Sequence, residues 1–473
     1  MDSLLKNNDG EKTDQPNEPS KEETTKNFPQ YLAASAASMV LLMAGTVLGW
    51  SSPVLPKLMT ANSTLPVNDD ESTWIGSLVA VGAIFGPFPA GIIADAIGRK
   101  RGLLAVAIPF LVSWCVLAAA SSVGWLYLGR IIAGVANGWG MTLLPMYIGE
   151  IATPNARGAL GMVGQIMITL GFLYVYIIGP YVPYVWTNVL CGILPVAFFV
   201  FLLFMPESPF YELSKNNHKS AAKSLRKLRG KSADGIKDEL NALQAAVDES
   251  VRQTGTWIDL FSKTANKRAV LLMGGLMAIQ QFSGVNVVLF YSESIFQKAG
   301  SSLSPSISTI VVGLVMFIAS FPTPYLIEKL GRRMVLILSS VGMMISQGII
   351  GSVFFFESRH YDTSKIGWLP LLSILGYITS YSIGIGPVPW AMIGELFAPN
   401  VRSKGAAFSA AFSWFLAFVM TKSFGFIMTY LGSYSAFWIF SVCCGLGGVF
   451  VYFLLPETKG KTLDEIQEIL NKK

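Results

Sequence analysis

Asp95-Ala96-Ile97-Gly98-Arg99-Lys100 closes one apolar run, and Glu328-Lys329-Leu330-Gly331-Arg332-Arg333 closes another about 233 positions later. Each places a carboxylate three residues before a glycine that is followed by two basic residues. The echo is not isolated. Glu150, Pro154, Arg157 and Gly158 return as Glu395, Pro399, Arg402 and Gly405 about 245 positions on, and Pro206-Glu207-Ser208 returns as Pro456-Glu457-Thr458 about 250 positions on. Three matched signatures in the same order read as an internal duplication, so the chain is expected to consist of two halves built on one plan.

Composition says what solvent those halves occupy. Of the 473 residues, 52% are hydrophobic and 14% charged, with a mean hydropathy of +0.51, whereas an ordinary soluble domain carries about 25% charged residues. That excludes a soluble globular enzyme and points to lipid, where each helical crossing takes about 20 residues. Twelve apolar segments read as 31–53, 73–94, 102–121, 125–149, 159–180, 184–205, 269–297, 305–327, 333–355, 367–396, 404–430 and 434–455. The expected fold is therefore an all-α membrane protein with twelve transmembrane helices in two pseudo-symmetric six-helix halves. The expected organisation is a disordered N-terminal tail over 1–27, an N-terminal half over 28–207, a helical linker over 208–266, a C-terminal half over 267–456 and a C-terminal tail over 457–473.

Basic residues crowd the loops after the even-numbered spans and are sparse in the alternate loops, so the positive-inside rule places both termini and the linker in the cytoplasm. The net charge of +6 is thereby explained without nucleic acid. Asn62-Ser63-Thr64 then falls outside, where a glycosylation acceptor is usable. Cys115, Cys191, Cys443 and Cys444 all lie in apolar runs, and His218 and His360 stand far apart, so no disulfide framework or metal site is expected. Nor is an enzyme: there is no HExxH, no paired intramembrane aspartates and no nucleophile–histidine pair.

Pro145-Met146-Tyr147-Ile148-Gly149-Glu150, Pro206-Glu207-Ser208-Pro209, Gln280-Gln281-Phe282-Ser283-Gly284-Val285-Asn286, Gly386-Pro387-Val388-Pro389-Trp390 and Pro456-Glu457-Thr458-Lys459-Gly460 join the Asp95–Lys100 motif in one ordered set. The set resembles the sugar porter family of the major facilitator superfamily over nearly the whole chain after the first thirty residues. With Thr421-Lys422 in span 11, the pattern is most similar to insect trehalose facilitators and animal hexose transporters. The resemblance implies passive sugar movement across a plasma membrane, with no cofactor, by a protein that functions as a monomer among membrane lipid.

A sugar presents hydroxyls that both donate and accept, together with an apolar face, so its site wants amides, hydroxyls and an aromatic plane. Span 7 supplies Gln280, Gln281, Ser283, Asn286 and Tyr291. On a straight helix Asn286 lies roughly 140° from Gln281 and 240° from Gln280. A bend at Ser283 and Gly284 would close that angle. The residues by themselves fit ligand contact and interhelical hydrogen bonding about equally; the resemblance favours ligand contact, and it carries Gln165 of span 5 into the site as well. Gly384, Gly386, Pro387 and Pro389 interrupt span 10, which marks a cavity-lining hinge. Trp390 and Trp414 are expected to offer ring planes to the sugar, and Trp125 and Trp368 to anchor at the membrane interface. Where many relatives have Asn, Glu and Asn, this chain has Met316, Ser382 and Ser413, and the combination of fewer fixed polar contacts and more room is expected to suit a disaccharide such as trehalose.

Proton-coupled relatives place a carboxylate after the Gly-aromatic pair of span 1, but here Gly49-Trp50 is followed by Ser51. No Asp or Glu occupies the middle of an expected span, so a uniporter is expected; a proton symporter and a non-transporting sugar sensor are the alternatives. Arg99, Arg157, Arg332, Arg333 and Arg402 with Glu150, Glu207, Glu395 and Glu457 are expected to form ion pairs between the halves when the cytoplasmic gate is shut. Lys422, inside span 11 without an evident acidic partner, is expected either to snorkel outward, the preferred reading, or to line the pathway, and Arg130 to be interfacial.

Overall fold

A computed structural model describes residues 27–60, 63, 65–153, 155–252, 256–299, 303–361 and 364–472. The expected tail up to residue 26 and the acceptor Asn62 lie outside the described residues. Ten helices are long and apolar enough to cross a bilayer, and two bent pairs bring the count to twelve spans among the described residues. Spans 1 to 6 run over Phe28–Leu58, Asp69–Phe85 with Pro87–Ile97, Arg99–Ala118, Val123–Ile151, Gly158–Tyr181 and Tyr184–Leu203. Spans 7 to 12 run over Thr264–Lys298, Pro305–Ala319 with Thr323–Leu330, Arg332–Ser358, Leu369–Leu396, Arg402–Tyr430 and Ser433–Leu454.

The protein is thus a multi-pass membrane protein, helical because lipid offers no partner for an open backbone group. Its outer surface is apolar: Ile193, Val196 and Phe201 on span 6 and Val442, Leu446 and Phe453 on span 12 are exposed. Inside the N-terminal half the helices approach to backbone contact. Gly82 and Gly86 of span 2 face Gly134 and Gly138 of span 4, and a Cβ on Gly134 would strike the carbonyl of Val79. Small residues four apart on both helices let backbones touch where lipid gives no hydrophobic drive to association.

Four spans are broken. Span 2 bends by 41° where helix Asp69–Phe85 meets Pro87, and span 8 bends by 48° between Ala319 and Thr323. Span 7 breaks at Gly284, whose φ of +79° few other residues adopt. Span 10 breaks between Ile383 and Val388, across the expected Gly-Pro stretch.

Between the halves the chain folds into helices Pro209–Ser214, His218–Arg229, Lys237–Arg252 and Trp257–Ser262. The insert has its own apolar nucleus of Leu213, Ala221 and Val247. Arg229 ties it to the first half: its guanidinium pairs with Glu239, at 2.7 Å, and donates to the carbonyl of Ile151 at 2.9 Å. After span 12, helix Leu463–Lys472 buries Ile466 and Leu470, and Arg268 of span 7 donates to the carbonyl of Leu470 at 2.7 Å. The end of the bundle beside the insert is called the insert end below, and the opposite one the far end.

Candidate functional site

The duplicated motifs prove to be duplicated hydrogen-bond geometry. In the first half Arg99 Nε lies 2.9 Å from Glu150, Ser208 Oγ donates to the same carboxylate, and Glu207 accepts the backbone N–H groups of Lys100 at 2.8 Å and Ser208 at 2.9 Å. In the second half Arg332 lies 2.9 Å from Glu395, Thr458 Oγ1 donates to Glu395 at 2.6 Å, and Glu457 accepts from the N–H groups of Arg332 and Arg333, both at 3.0 Å. Glu207 and Glu457 therefore sit on the N-termini of spans 3 and 9, where the free amides and the helix dipole favour an anion. Gly98 and Gly331 have φ of +108° and +87°, and a Cβ on either would collide with the capping carboxylate. In this conformation the ion pairs of Arg99 and Arg332 join spans of the same half. Arg333 stacks on Tyr452 at 5.3 Å, and Arg402 begins span 11. The side chain of Arg157 lies outside the described residues.

The break in span 7 gathers the polar cluster. Asn286 Nδ2 donates to Gln281 Oε1 at 2.6 Å, and Gln281 Nε2 donates to Ser413 Oγ of span 11 at 2.9 Å. The turn at Gly284 thus closes the angle that a straight helix would leave between Gln281 and Asn286. Gln280 turns the other way, and its amide donates to the carbonyls of Ile385 and Gly386 at 2.8 and 2.9 Å. Those carbonyls are exposed by the break in span 10, so Gln280 pays the hydrogen-bond debt of the hinge that Pro387 and Pro389 create. Tyr377 of span 10 and Gln347 of span 9 close the other side, donating to the carbonyl of Ser283 at 3.0 and 3.2 Å. Gln280 and Gln281 are buried and Asn286 is half-buried.

Other expected site residues stand apart from this cluster. Gln165 is half-buried on span 5, and its side-chain amide has no hydrogen-bond partner among the described residues. Trp414 is buried beside Ser413, whereas Trp390 is 36% exposed. Tyr291 lies at the far end, stacked on Phe424 with centroids 5.6 Å apart and with its hydroxyl against Gly76 of span 2. It belongs to the contact between halves.

That contact corrects two expectations. Lys422 does not snorkel alone: its Nζ lies 2.7 Å from Asp70 Oδ1, 3.0 Å from Thr73 Oγ1 and 4.2 Å from the centroid of the Trp74 ring, all across the seam in the first half. Its partner is 352 positions away in sequence, beyond the reach of a local reading. Arg130 is fully buried and not interfacial. Its guanidinium donates to the carbonyls of Val47 at 2.7 Å and Ile75 at 3.0 Å and to Ser51 Oγ at 2.9 Å, and stacks on Trp50 at 5.1 Å. Tyr176 Oη donates to the carbonyl of Leu289 at 2.6 Å, and the N–H of Glu293 donates to Ser52 Oγ at 3.1 Å. Tyr176, Glu293 and Lys422 thus each carry a hydrogen bond between the two halves at the far end. Glu293 went unweighed in the sequence: it is a carboxylate in the far third of span 7, accepting from Ser306 Oγ at 2.7 Å.

A membrane bundle of two repeated halves, with broken helices and an amide cluster where they meet, has the build of a transporter. The sequence model of the family described as "Sugar (and other) transporter" matches residues 24–470. Facilitated trehalose transporter Tret1 of Bombyx mori is 37% identical over 466 residues, covering 96% of this chain and 90% of that one. Tret1 of Apis mellifera ligustica is 38% identical over 443 residues, covering 93% and 87%. The partially occluded inward-open structure of the xylose transporter XylE from E. coli superimposes with a TM-score of 0.76 at 23% identity, covering 92% and 99%, a likeness of fold. The chain belongs to the sugar transporter family, with the twelve-helix major facilitator fold, and is a transporter rather than an enzyme.

Proposed function

We propose that the protein is a facilitative uniporter that carries a neutral sugar, trehalose or a hexose such as glucose, down its gradient by alternating access. The observation that carries the reading is the Ser413–Gln281–Asn286 chain, an uncharged run of donors and acceptors at the break of span 7. Paired hydroxyl recognition by amides is what a carbohydrate requires. Gln165, Trp390 and Trp414 are assigned to the same pathway, and Tyr291 to its far-end closure. The relatives' name favours trehalose, and the apolar Met316 with the short Ser382 and Ser413 offers fewer fixed polar contacts than the Asn, Glu and Asn of many sugar porters, which suits a larger sugar. The distribution of basic residues supports a cytoplasmic insert end with both termini on that side, and residence in the plasma membrane as a monomer is part of the same proposal. In purified proteoliposomes, radiolabelled trehalose and glucose uptake should be saturable, mutually competitive and unchanged by an imposed pH gradient. Sugar-evoked movement of protons would overturn uniport, and Glu293 would then be the first group to replace.

Uniport is supported by what faces Arg130. A buried guanidinium usually demands an anion, yet here it is satisfied by two carbonyls and the Ser51 hydroxyl. Without a carboxylate at Ser51 there is nothing for a proton to neutralise at this junction of spans 1, 2 and 4. Ser51→Asp is expected to make uptake pH-dependent: the ionised aspartate would clamp Arg130, and protonation would release it. Uptake by the variant should be several-fold faster at pH 5.5 than at pH 7.5, while the parent protein stays flat over that range.

Alternating access needs a closure at each end. The far end is shut in this conformation, and we assign Lys422 and Asp70 to its latch. Asp70 is well exposed, so solvent screening limits the ion pair to about 0–1 kcal/mol; the Trp74 face adds about 0.5–1 kcal/mol. Together these bias a two-state equilibrium by roughly tenfold, at 1.4 kcal/mol per decade. Lys422→Met should raise labelling of a cysteine placed at Thr73 by a membrane-impermeant reagent, and a high-salt medium should mimic it in the parent. At the insert end, Glu150, Glu207, Glu395 and Glu457 with Arg99, Arg157, Arg332, Arg333 and Arg402 are the corresponding set, able to pair across halves once that end closes.

A further inference from the structure

We propose that a cleft at the insert end of spans 3 and 6 binds the headgroup of an anionic phospholipid. The cleft, of about 420 Å³, is lined by Lys100, Glu207, Glu212, Ser220, Lys223 and Lys227. It opens where span 6 ends at Leu203; the exposed Phe204 lines it, and the exposed Val200 and Phe201 lie one turn back on the same face of span 6. A ligand seated here has an apolar wall on one side and ammonium groups on the other, which is the polarity of a phospholipid.

The cations are held in place by the fold. Lys100 Nζ donates to the carbonyl of Leu203 at 2.8 Å, and Lys227 Nζ donates to the carbonyl of Phe204 at 2.5 Å. Each bond uses one of three N–H donors, fixes the ammonium on the carbonyl end of span 6, and leaves two donors for an anion. Lys223, one turn before Lys227 on helix His218–Arg229, is exposed and has no partner among the described residues. The two carboxylates are already engaged. Glu207 accepts the N–H groups of Lys100, Ser208 and Arg101, spreading its charge into the N-terminus of span 3, and Glu212 accepts from Asn217 Nδ2 at 3.0 Å. What remains for a ligand is three ammonium groups and the Ser220 hydroxyl, a set that suits phosphate oxygens. If the insert end is cytoplasmic, it faces the leaflet that carries anionic lipid. A bound headgroup would then tie the insert helix to spans 3 and 6 independently of the sugar pathway.

The full-length protein, purified in detergent, is titrated with phosphatidylinositol 4-phosphate and with phosphatidylcholine, and retained lipid is counted by native mass spectrometry. The anionic lipid should be retained at least fivefold better than phosphatidylcholine. Lys223→Glu should cut that preference at least threefold, with sugar uptake in phosphatidylcholine vesicles unchanged. Lys219→Glu, on the same helix but outside the cleft, should retain the parent preference. Equal retention of the two lipids, or equal loss in both variants, would overturn the assignment. So would inositol 1,4-bisphosphate binding as tightly as the intact lipid, because the site would then take a soluble phosphate.

Discussion

Gln281→Leu is expected to lower trehalose and glucose uptake by at least about tenfold while leaving the protein folded and monodisperse. The side chain is nearly isosteric, so packing is kept and the lost quantity is polar. Gln281 Oε1 accepts from Asn286 at 2.6 Å and its Nε2 donates to Ser413 at 2.9 Å, so its amide orders both neighbours. Leucine removes one donor and one acceptor and leaves Asn286 without its partner. At about 1 kcal/mol for a net hydrogen bond and more for an orphaned buried group, the loss reaches about 1.4–3 kcal/mol of sugar binding. That converts to roughly tenfold to 150-fold in affinity. Ser413→Ala, which removes one hydroxyl and leaves the Gln281–Asn286 bond, should cost less than about fivefold. Equilibrium binding of labelled sugar to the purified variants separates lost affinity from lost conformational cycling. Unchanged binding in Gln281→Leu would remove this cluster from the site.

Gly284→Val is expected to abolish transport. The φ of +79° is a left-handed conformation that a β-branched residue adopts only at a cost of about 1–3 kcal/mol. A Cβ at this position would also sit 2.5 Å from the Phe440 ring. Either penalty drives span 7 toward a continuous helix, which swings Asn286 away from Gln281 and dismantles the site without touching its residues. Phe440→Ala should relieve the steric part alone, so the double variant Gly284→Val/Phe440→Ala should stay inactive, while Gly284→Ala/Phe440→Ala should recover part of the uptake. Full activity in Gly284→Val would show that the break is not needed for binding.

The residues whose roles were legible in one dimension are those whose partners lie nearby or obey a repeat. The need for a bend at Ser283 and Gly284 follows from helical spacing, and the structure places the bend there with Asn286 meeting Gln281. The Asp95–Lys100 and Glu328–Arg333 motifs announced two equivalent halves, and the structure returns the same carboxylate-to-helix cap in each. Gln280 was less legible. Its spacing suits a ligand contact, but its hydrogen bonds go to Ile385 and Gly386, because the broken backbone of span 10 supplies unpaired carbonyls that no local pattern in span 7 reveals.

Arg130 and Lys422 mark the boundary. By itself, the sequence determined that the chain lies in lipid, crosses it twelve times and does so in two repeated sets, because continuous apolar length, loop charge and duplicated signatures are properties of the chain read in order. The three-dimensional packing alone decided that Arg130 is sealed against Ser51, that Lys422 finds Asp70 from the opposite half, and that Tyr291 serves the seam. A charge inside a bundle takes its partner from whichever helix lies across from it, and that neighbour is set by packing among twelve helices, not by distance along the chain.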